Sequence, residues 1–154
     1  MTVPPLALLF ICAVAAYLLA HFLPLYSFDA PLWLVGFELI AAIAFLLPAI
    51  VGFRKHRTTV NPISPDAATA LVTDGVYSIT RNPMYVGMLL MLLGLVFWLG
   101  AVSALAMVLA FFSLIDRHQI AVEERTLLNK FGQSYRDYAE RVPRWLFIRQ
   151  GVAQ

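Results

Sequence analysis

The chain has 154 residues, of which 61% are hydrophobic and 13% charged. An average soluble domain carries about 25% charged and about 45–50% apolar residues, so the composition excludes a disordered chain and argues for solvation by a bilayer. The pI near 8.9 rests on a net charge of only +2, which disfavours nucleic-acid binding, and the single cysteine, Cys12, excludes an internal disulfide and a cysteine-built metal site.

No Asp, Glu, Lys or Arg precedes Asp29, and none lies between Asn82 and Ile115. A helical crossing needs about 20 apolar residues. The pattern predicts four: 6–25, 32–53, 83–99 and 101–117, the last two a hairpin turning at Gly100. The first lacks a basic flank and is long for a signal peptide, so it is read as a mature helix. The hairpin helices are short, and full crossings are preferred to a re-entrant pair. The fourth helix is expected to continue to Phe131. Glu38 falls inside the second crossing, where a carboxylate is a functional candidate by default. A structural pair with His21 is the expectation.

The basic residues orient the chain. Arg54, Lys55, Arg57 and Arg81 lie between crossings two and three. Arg117, Arg125, Lys130, Arg136, Arg141, Arg144 and Arg149 follow crossing four. Four crossings put both groups on one side, which the positive-inside rule makes cytoplasmic, together with both termini. An odd number would scatter them. The expected fold is therefore an all-α integral membrane protein, one domain over 1–154. About four transmembrane helices carry a cytoplasmic cap made of a loop and a short amphipathic helix, drawn from 54–82 and 118–154.

In the first cytoplasmic segment, Pro62 and Pro65 mark an ordered loop. Lys55 and His56 need no role beyond orientation beside anionic headgroups. Thr58, Thr59 and Asn61 offer hydroxyls and an amide. Asp74-Gly75 is a turn signal. Asn82-Pro83 reads as a helix start, Asn as N-cap and Pro at the first helical position. That does not account for Arg81 and Tyr85 beside it. A helix start offers free N–H groups and a positive dipole end to a carboxylate or phosphate. Gly87 and Gly94, two turns apart on one face, allow close approach of another helix.

In the second segment, Ile120, Leu127 and Leu128 recur at helical spacing. Glu123 and Glu124 point about 100° apart, so only one can face the bundle squarely. A solvated charged face is the plain alternative for either. Phe131-Gly132 ends the helix. A short amphipathic helix follows from Ser134 to Val142, closed by Pro143. Tyr135, Tyr138 and Val142 share one face, and Arg136–Glu140 and Asp137–Arg141 are spaced as i,i+4 pairs. This helix is expected to lie in the membrane interface, anchored by Trp145 and Phe147. The dispersed His21, His56 and His118 do not suggest a metal site, and dinucleotide, phosphate-loop, zinc-protease and serine-hydrolase motifs are absent.

Taken together, Thr59-Val60-Asn61-Pro62, Leu71 to Tyr77, Arg81 to Gly87, Glu123-Glu124, Phe131-Gly132, Tyr135, Tyr138 and Arg141-Val142-Pro143 resemble the isoprenylcysteine carboxyl methyltransferase and phospholipid methyltransferase superfamily. The ordered series from Arg57 to about Phe147 is specific, although each piece is weak. The family commonly has His between the Arg and the Pro; here it is Asn82, as in many small bacterial-type members.

The resemblance implies S-adenosylmethionine as methyl donor and a lipid-like acceptor arriving from the bilayer. One of Glu123 and Glu124 would bind the cofactor ammonium. The helix start at Asn82, Pro83 and Tyr85 would take its carboxylate. Tyr85 or Tyr77 would offer a ring to adenine or the sulfonium. Arg81, Arg54 or Arg57 would orient the acceptor, with Arg81 and Arg57 the catalytic candidates. Two other classes compete. A small four-helix transporter would use Glu38 but leave the tail after Asp116 unexplained. An NADPH-dependent membrane reductase would require a basic phosphate pocket.

Overall fold

The structure, a computed structural model, describes residues 3–56 and 69–146. Within them the regular elements are helices: α1 (Pro5–Phe22), α2 (Leu32–Lys55), α3 (Pro83–Leu99), α4 (Leu105–Leu114), α5 (Ala121–Phe131) and α6 (Gln133–Arg141). A single-turn 3₁₀ segment, Gly75–Ser78, precedes α3. Another, Val102–Ala104, leads into α4, and a π-helical stretch, Ile115–Ile120, joins α4 to α5. The expected fourth helix is thus one run from Val102 to Phe131 containing a π-turn. The chain is an all-α membrane protein. α1, α2 and that run are each long and apolar enough to cross a bilayer. α3 is apolar but has 17 residues, about 25 Å at about 1.5 Å per residue, against a hydrocarbon layer of about 30 Å. Charge returns to the long run at Asp116, next to the expected end of the fourth crossing at 117.

Local chemistry explains the element ends. Pro5 and Pro83 stand where a helix needs no N–H, at the first positions of α1 and α3. Gly100 closes α3 with a left-handed φ of +63°. Its carbonyl accepts the Phe28 N–H at 2.8 Å, and the Val102 N–H donates to the Tyr26 carbonyl at 3.0 Å. These bonds lash the α1–α2 connection to the turn after α3.

α2 packs chiefly on α3, whereas α1 packs on α3 and α4. Gly87 and Gly94 make the α2–α3 contact possible, as their spacing predicts. A Cβ on Gly87 would sit 2.5 Å from Leu46 Cγ and 3.0 Å from the Ala42 carbonyl oxygen. One on Gly94 would meet the Glu38 Cβ at 3.2 Å. This arrangement also undoes the expected Glu38–His21 pair. Glu38 is buried beside Gly94 with its Oε2 in no hydrogen bond. His21 is exposed on α1, stacked on Tyr17 and edge-on to Phe22.

The C-terminal cap differs from expectation in three respects. The Tyr135, Tyr138 and Val142 face of α6 is buried against Leu71, Leu127, Leu128 and Phe131, so its apolar stripe is taken up by protein and not by lipid. The expected i,i+4 ion pairs are absent among the described residues. Gln133 Nε2 donates to Asp137 Oδ1 at 2.7 Å, and Arg141 Nε donates to the Asp137 carbonyl at 3.1 Å. Trp145, expected as an interface anchor, is buried with its ring 4.8 Å from that of Phe112. Phe147 lies outside the described residues. Lys55 Nζ and His56 Nε2 reach Asp74 at 3.4 and 2.9 Å, tying the end of α2 to the Gly75–Ser78 turn.

Gly87→Leu should lower stability by roughly 1–3 kcal/mol through overpacking, read as the unfolding midpoint in detergent. Gly36→Ala is the control, since its Cβ would meet nothing within 4 Å.

Candidate functional site

The polar end of the bundle gathers four stretches of chain: Tyr77–Asn82, Tyr85 on α3, Asp116–Glu124, and Pro143–Trp145. Backbone geometry sets the first. Gly75, at φ +59°, turns the chain into the 3₁₀ segment, and Tyr77 follows. Its ring packs edge-on against Phe53 at 5.3 Å, and its carbonyl accepts the Tyr138 hydroxyl at 2.7 Å.

Two different environments sit side by side. In one, Glu123 Oε1 accepts the Tyr85 hydroxyl and Gln119 Nε2, both at 2.6 Å, and neither bond falls on Oε2. Burial raises the Glu123 carboxyl to about 7, helped by the charge of Glu124 and opposed by the bonds from Gln119 and Tyr85. Burial also raises the Tyr77 hydroxyl, with further contributions from Tyr138 and from the nearby Glu123 charge. Tyr85 and Glu123 are thus in direct contact, whereas Tyr77 packs on Phe53 and Ala49 and senses the glutamate only through its charge.

The other environment is a buried ion cluster. Arg81 Nη1 lies 3.1 Å from Glu124 Oε1. Arg144 grips both oxygens of the same carboxylate, Nε to Oε1 at 3.2 Å and Nη2 to Oε2. Arg144 Nη1 also reaches Asp116 Oδ1 at 3.3 Å, an atom that accepts the Trp145 indole N–H at 2.8 Å. Burial disfavours the Arg144 charge, but the bond and charge of Glu124, with Asp116, outweigh it and hold its pKa above the ordinary arginine value. The backbone closes the same joint. The Arg81 N–H donates to the Pro143 carbonyl at 2.9 Å. Thr80 Oγ1 and Asn82 Nδ2 donate to the Arg144 carbonyl at 2.9 and 3.0 Å. Asn82 thus precedes α3 without a side-chain capping bond, because its amide is engaged across the chain.

The candidate residues accordingly separate. Tyr85 and Glu123 come together, with Pro83 and Asn82 at the adjoining start of α3, and Tyr77 packs nearby against the end of α2. Glu124 and Arg81 face each other inside the ion cluster. Arg57 lies outside the described residues, as do Thr58, Thr59 and Asn61. Arg54 is exposed at the end of α2. Asp116, Gln119 and Arg144 were not singled out as site residues by sequence reasoning, and Trp145 was read only as an interface anchor. Only the i,i+4 spacing of Gln119 to Glu123 carries a sequence signal for any of them.

The phospholipid methyltransferase family profile matches residues 33–134, well over half of the chain. The chain belongs to that family. The match takes in Tyr77, Arg81, Tyr85, Glu123 and Glu124 and stops before Arg144. An uncharacterized protein of Haemophilus influenzae is 46% identical over 63 residues, 41% of this chain and 100% of that one. The protein-S-isoprenylcysteine O-methyltransferase of Schizosaccharomyces pombe is 40% identical over 74 residues, 47% of this chain and 31% of its own. Protein-S-isoprenylcysteine O-methyltransferase B of Arabidopsis thaliana is 39% identical over 96 residues, 62% of this chain and 48% of its own. The chain thus spans less than half the length of these two enzymes. No solved structure matches it.

The two glutamates should behave differently when made isosteric and neutral. Glu124→Gln leaves two buried arginines facing an amide and should cost about 3–5 kcal/mol. Glu123→Gln should cost about 1 kcal/mol. Unfolding of both variants in detergent checks the contrast.

Proposed function

We propose that this family member is a membrane methyltransferase. It takes its methyl group from S-adenosylmethionine at the basic, cytoplasmic side and delivers it to a lipid-like acceptor. The observation that carries this is the Tyr85–Glu123 contact, with Tyr77 near enough to sense the glutamate charge. A half-buried carboxylate with both internal bonds on one oxygen meets a phenol in the first turn of a helix. That donor set fits the cofactor, which carries an ammonium, a carboxylate, an adenine and a sulfonium.

Glu123 would hold the ammonium through a charge-assisted bond. The first turn of α3, behind Asn82 and Pro83, would take the carboxylate, and the Tyr77 and Tyr85 rings would face the adenine or sulfonium. When bound, S-adenosylmethionine supplies an activated methyl group on a sulfonium. The protein's own part is alignment: these side chains hold the donor rigidly at the end of an apolar bundle, so that an acceptor arriving from the bilayer meets the methyl in line. Arg81 faces Glu124 inside the ion cluster and holds the site together, which leaves Arg57, of the two catalytic candidates, to orient the acceptor. Glu124, engaged by two arginines, supports the site and does not take the ammonium. Those engagements also weigh against the reductase alternative, because both buried arginines of the described residues already face carboxylates. A transporter built on Glu38 leaves this whole cluster without a task.

Titration of the purified protein in nanodiscs with S-adenosylmethionine, its demethylated product and NADPH tests the reading. Saturable binding of the first two is expected. If only the ionised form of Glu123 binds the ammonium, affinity falls about tenfold for each pH unit below about 7 and is level just above it. Glu123→Gln should abolish that pH dependence and weaken binding. Saturable binding of NADPH alone would overturn the proposal.

A further inference from the structure

We propose that Arg144 is a positioning residue that sets the angle at which Glu123 meets Tyr85, by bridging Asp116 and Glu124 across the π-turn between α4 and α5.

The helical run supplies the reason. Asp116 lies within the π-helical stretch Ile115–Ile120, and Glu124 follows in the first turn of α5. In an uninterrupted α-helix, residues eight apart stand about 80° from each other at about 100° per residue. A π-turn takes in one extra residue, so the same eight residues return to within about 20° of one another. Asp116 and Glu124 therefore fall on one face, about two turns apart, where a single guanidinium spans them. Arg144 does this with three nitrogens, Nη1 on Asp116 and Nε and Nη2 on Glu124. A π-turn is an uncommon conformation that persists where its surroundings hold it. If it relaxed to α-helix, everything after it would turn by about 100°. Glu123, next to Glu124, would leave Tyr85.

The anchor for Arg144 is independent of the helix it holds. Its carbonyl accepts from Thr80 and Asn82, and the Pro143 carbonyl accepts from the Arg81 N–H. The guanidinium is thereby referenced to the start of α3, the element that carries Tyr85. One residue relates the two halves of the Tyr85–Glu123 contact. Lys is a poor substitute, because an ammonium is a point charge and does not bridge two carboxylates with a planar fork.

The affinity readout rests on the proposed cofactor role of Glu123; the infrared readout does not. Arg144→Met, Arg144→Lys and Asp116→Asn are compared with the wild type for S-adenosylmethionine binding. Asp116→Asn keeps an acceptor for the Trp145 indole and removes only the charge at the far end of the bridge, so it decides the matter if an Arg144 variant fails to fold. All three are expected to bind at least about tenfold more weakly, about 1.4 kcal/mol. A double variant, Arg144→Met with Asp116→Asn, removes one charge of each sign and leaves the Arg81–Glu124 pair in place. It should not recover binding if Arg144 sets an angle. Wild-type affinity in Asp116→Asn, or recovery in the double variant, would show that Arg144 only balances the charge of the cluster and would overturn the proposal. Infrared titration of the Glu123 carboxyl, assigned with Glu123→Gln, follows the geometry without cofactor. In Asp116→Asn its midpoint should drop from about 7 toward the ordinary carboxylate range as the group turns out of its pocket. An unchanged midpoint would again overturn the proposal. Absence of cofactor binding in the wild type, with the infrared shift present, would sink the methyl-donor reading and leave the positioning role standing.

Discussion

Two carboxylates, Asp116 and Glu124, and two guanidiniums, Arg81 and Arg144, share one buried site, and the polar end of the molecule is organised around their balance. Removing a single ion from water costs several kcal/mol, so none of the four is tolerable there without the others. Such a cluster adds little net stability over a well-packed apolar one. Its value is in what it forces together. It draws the segment before α3, the junction of α4 with α5 and the stretch after α6 to a single point, although up to 63 residues of chain separate Arg81 from Arg144. The backbone bonds from Thr80, Arg81 and Asn82 to Pro143 and Arg144 tighten the same joint.

The apolar body serves this joint by a different principle. Between lipid-facing helices there is little hydrophobic gain in association, so close backbone approach carries the packing. Gly87 and Gly94 let α2 lie against α3 along two turns. The end of α2 then supplies the wall, at Ala49 and Phe53, on which Tyr77 packs. α3 in turn presents Tyr85 to Glu123. The candidate site is thus a corner between a helix pair and a helical run that changes its winding at Ile115–Ile120. Adjacent glutamates acquire unlike surroundings there: one between arginines, the other between a phenol and an amide.

Much of the body was legible from residue order. The charge-free stretches located α1, α3 and the run through α4, and the apolar length of 32–53 located α2. Proline and glycine marked their ends, and the spacing of Gly87 and Gly94 announced the helix contact. The Tyr135, Tyr138 and Val142 stripe was recognisable as one face of α6. What it would be buried against was not, because an amphipathic stripe suits lipid and protein equally. The same ambiguity misplaced Trp145 at the interface. The Glu38–His21 pairing presumed that α1 and α2 pack on each other, and connectivity alone does not say which neighbour a helix chooses.

Sequence by itself determined the solvent, the helices and the short list of chemistry-bearing residues, since these follow from local composition and from periodicities of a few residues. It also showed that Glu123 and Glu124 must diverge, because consecutive helical residues always do. Tertiary structure alone decided which glutamate faces the tyrosines and which is enclosed by arginine. That choice depends on a π-turn with no local sequence signature and on an arginine 20 residues beyond Glu124. The selecting energy comes from burying opposite charges together in a medium of low dielectric, and such an interaction exists only once distant segments have met.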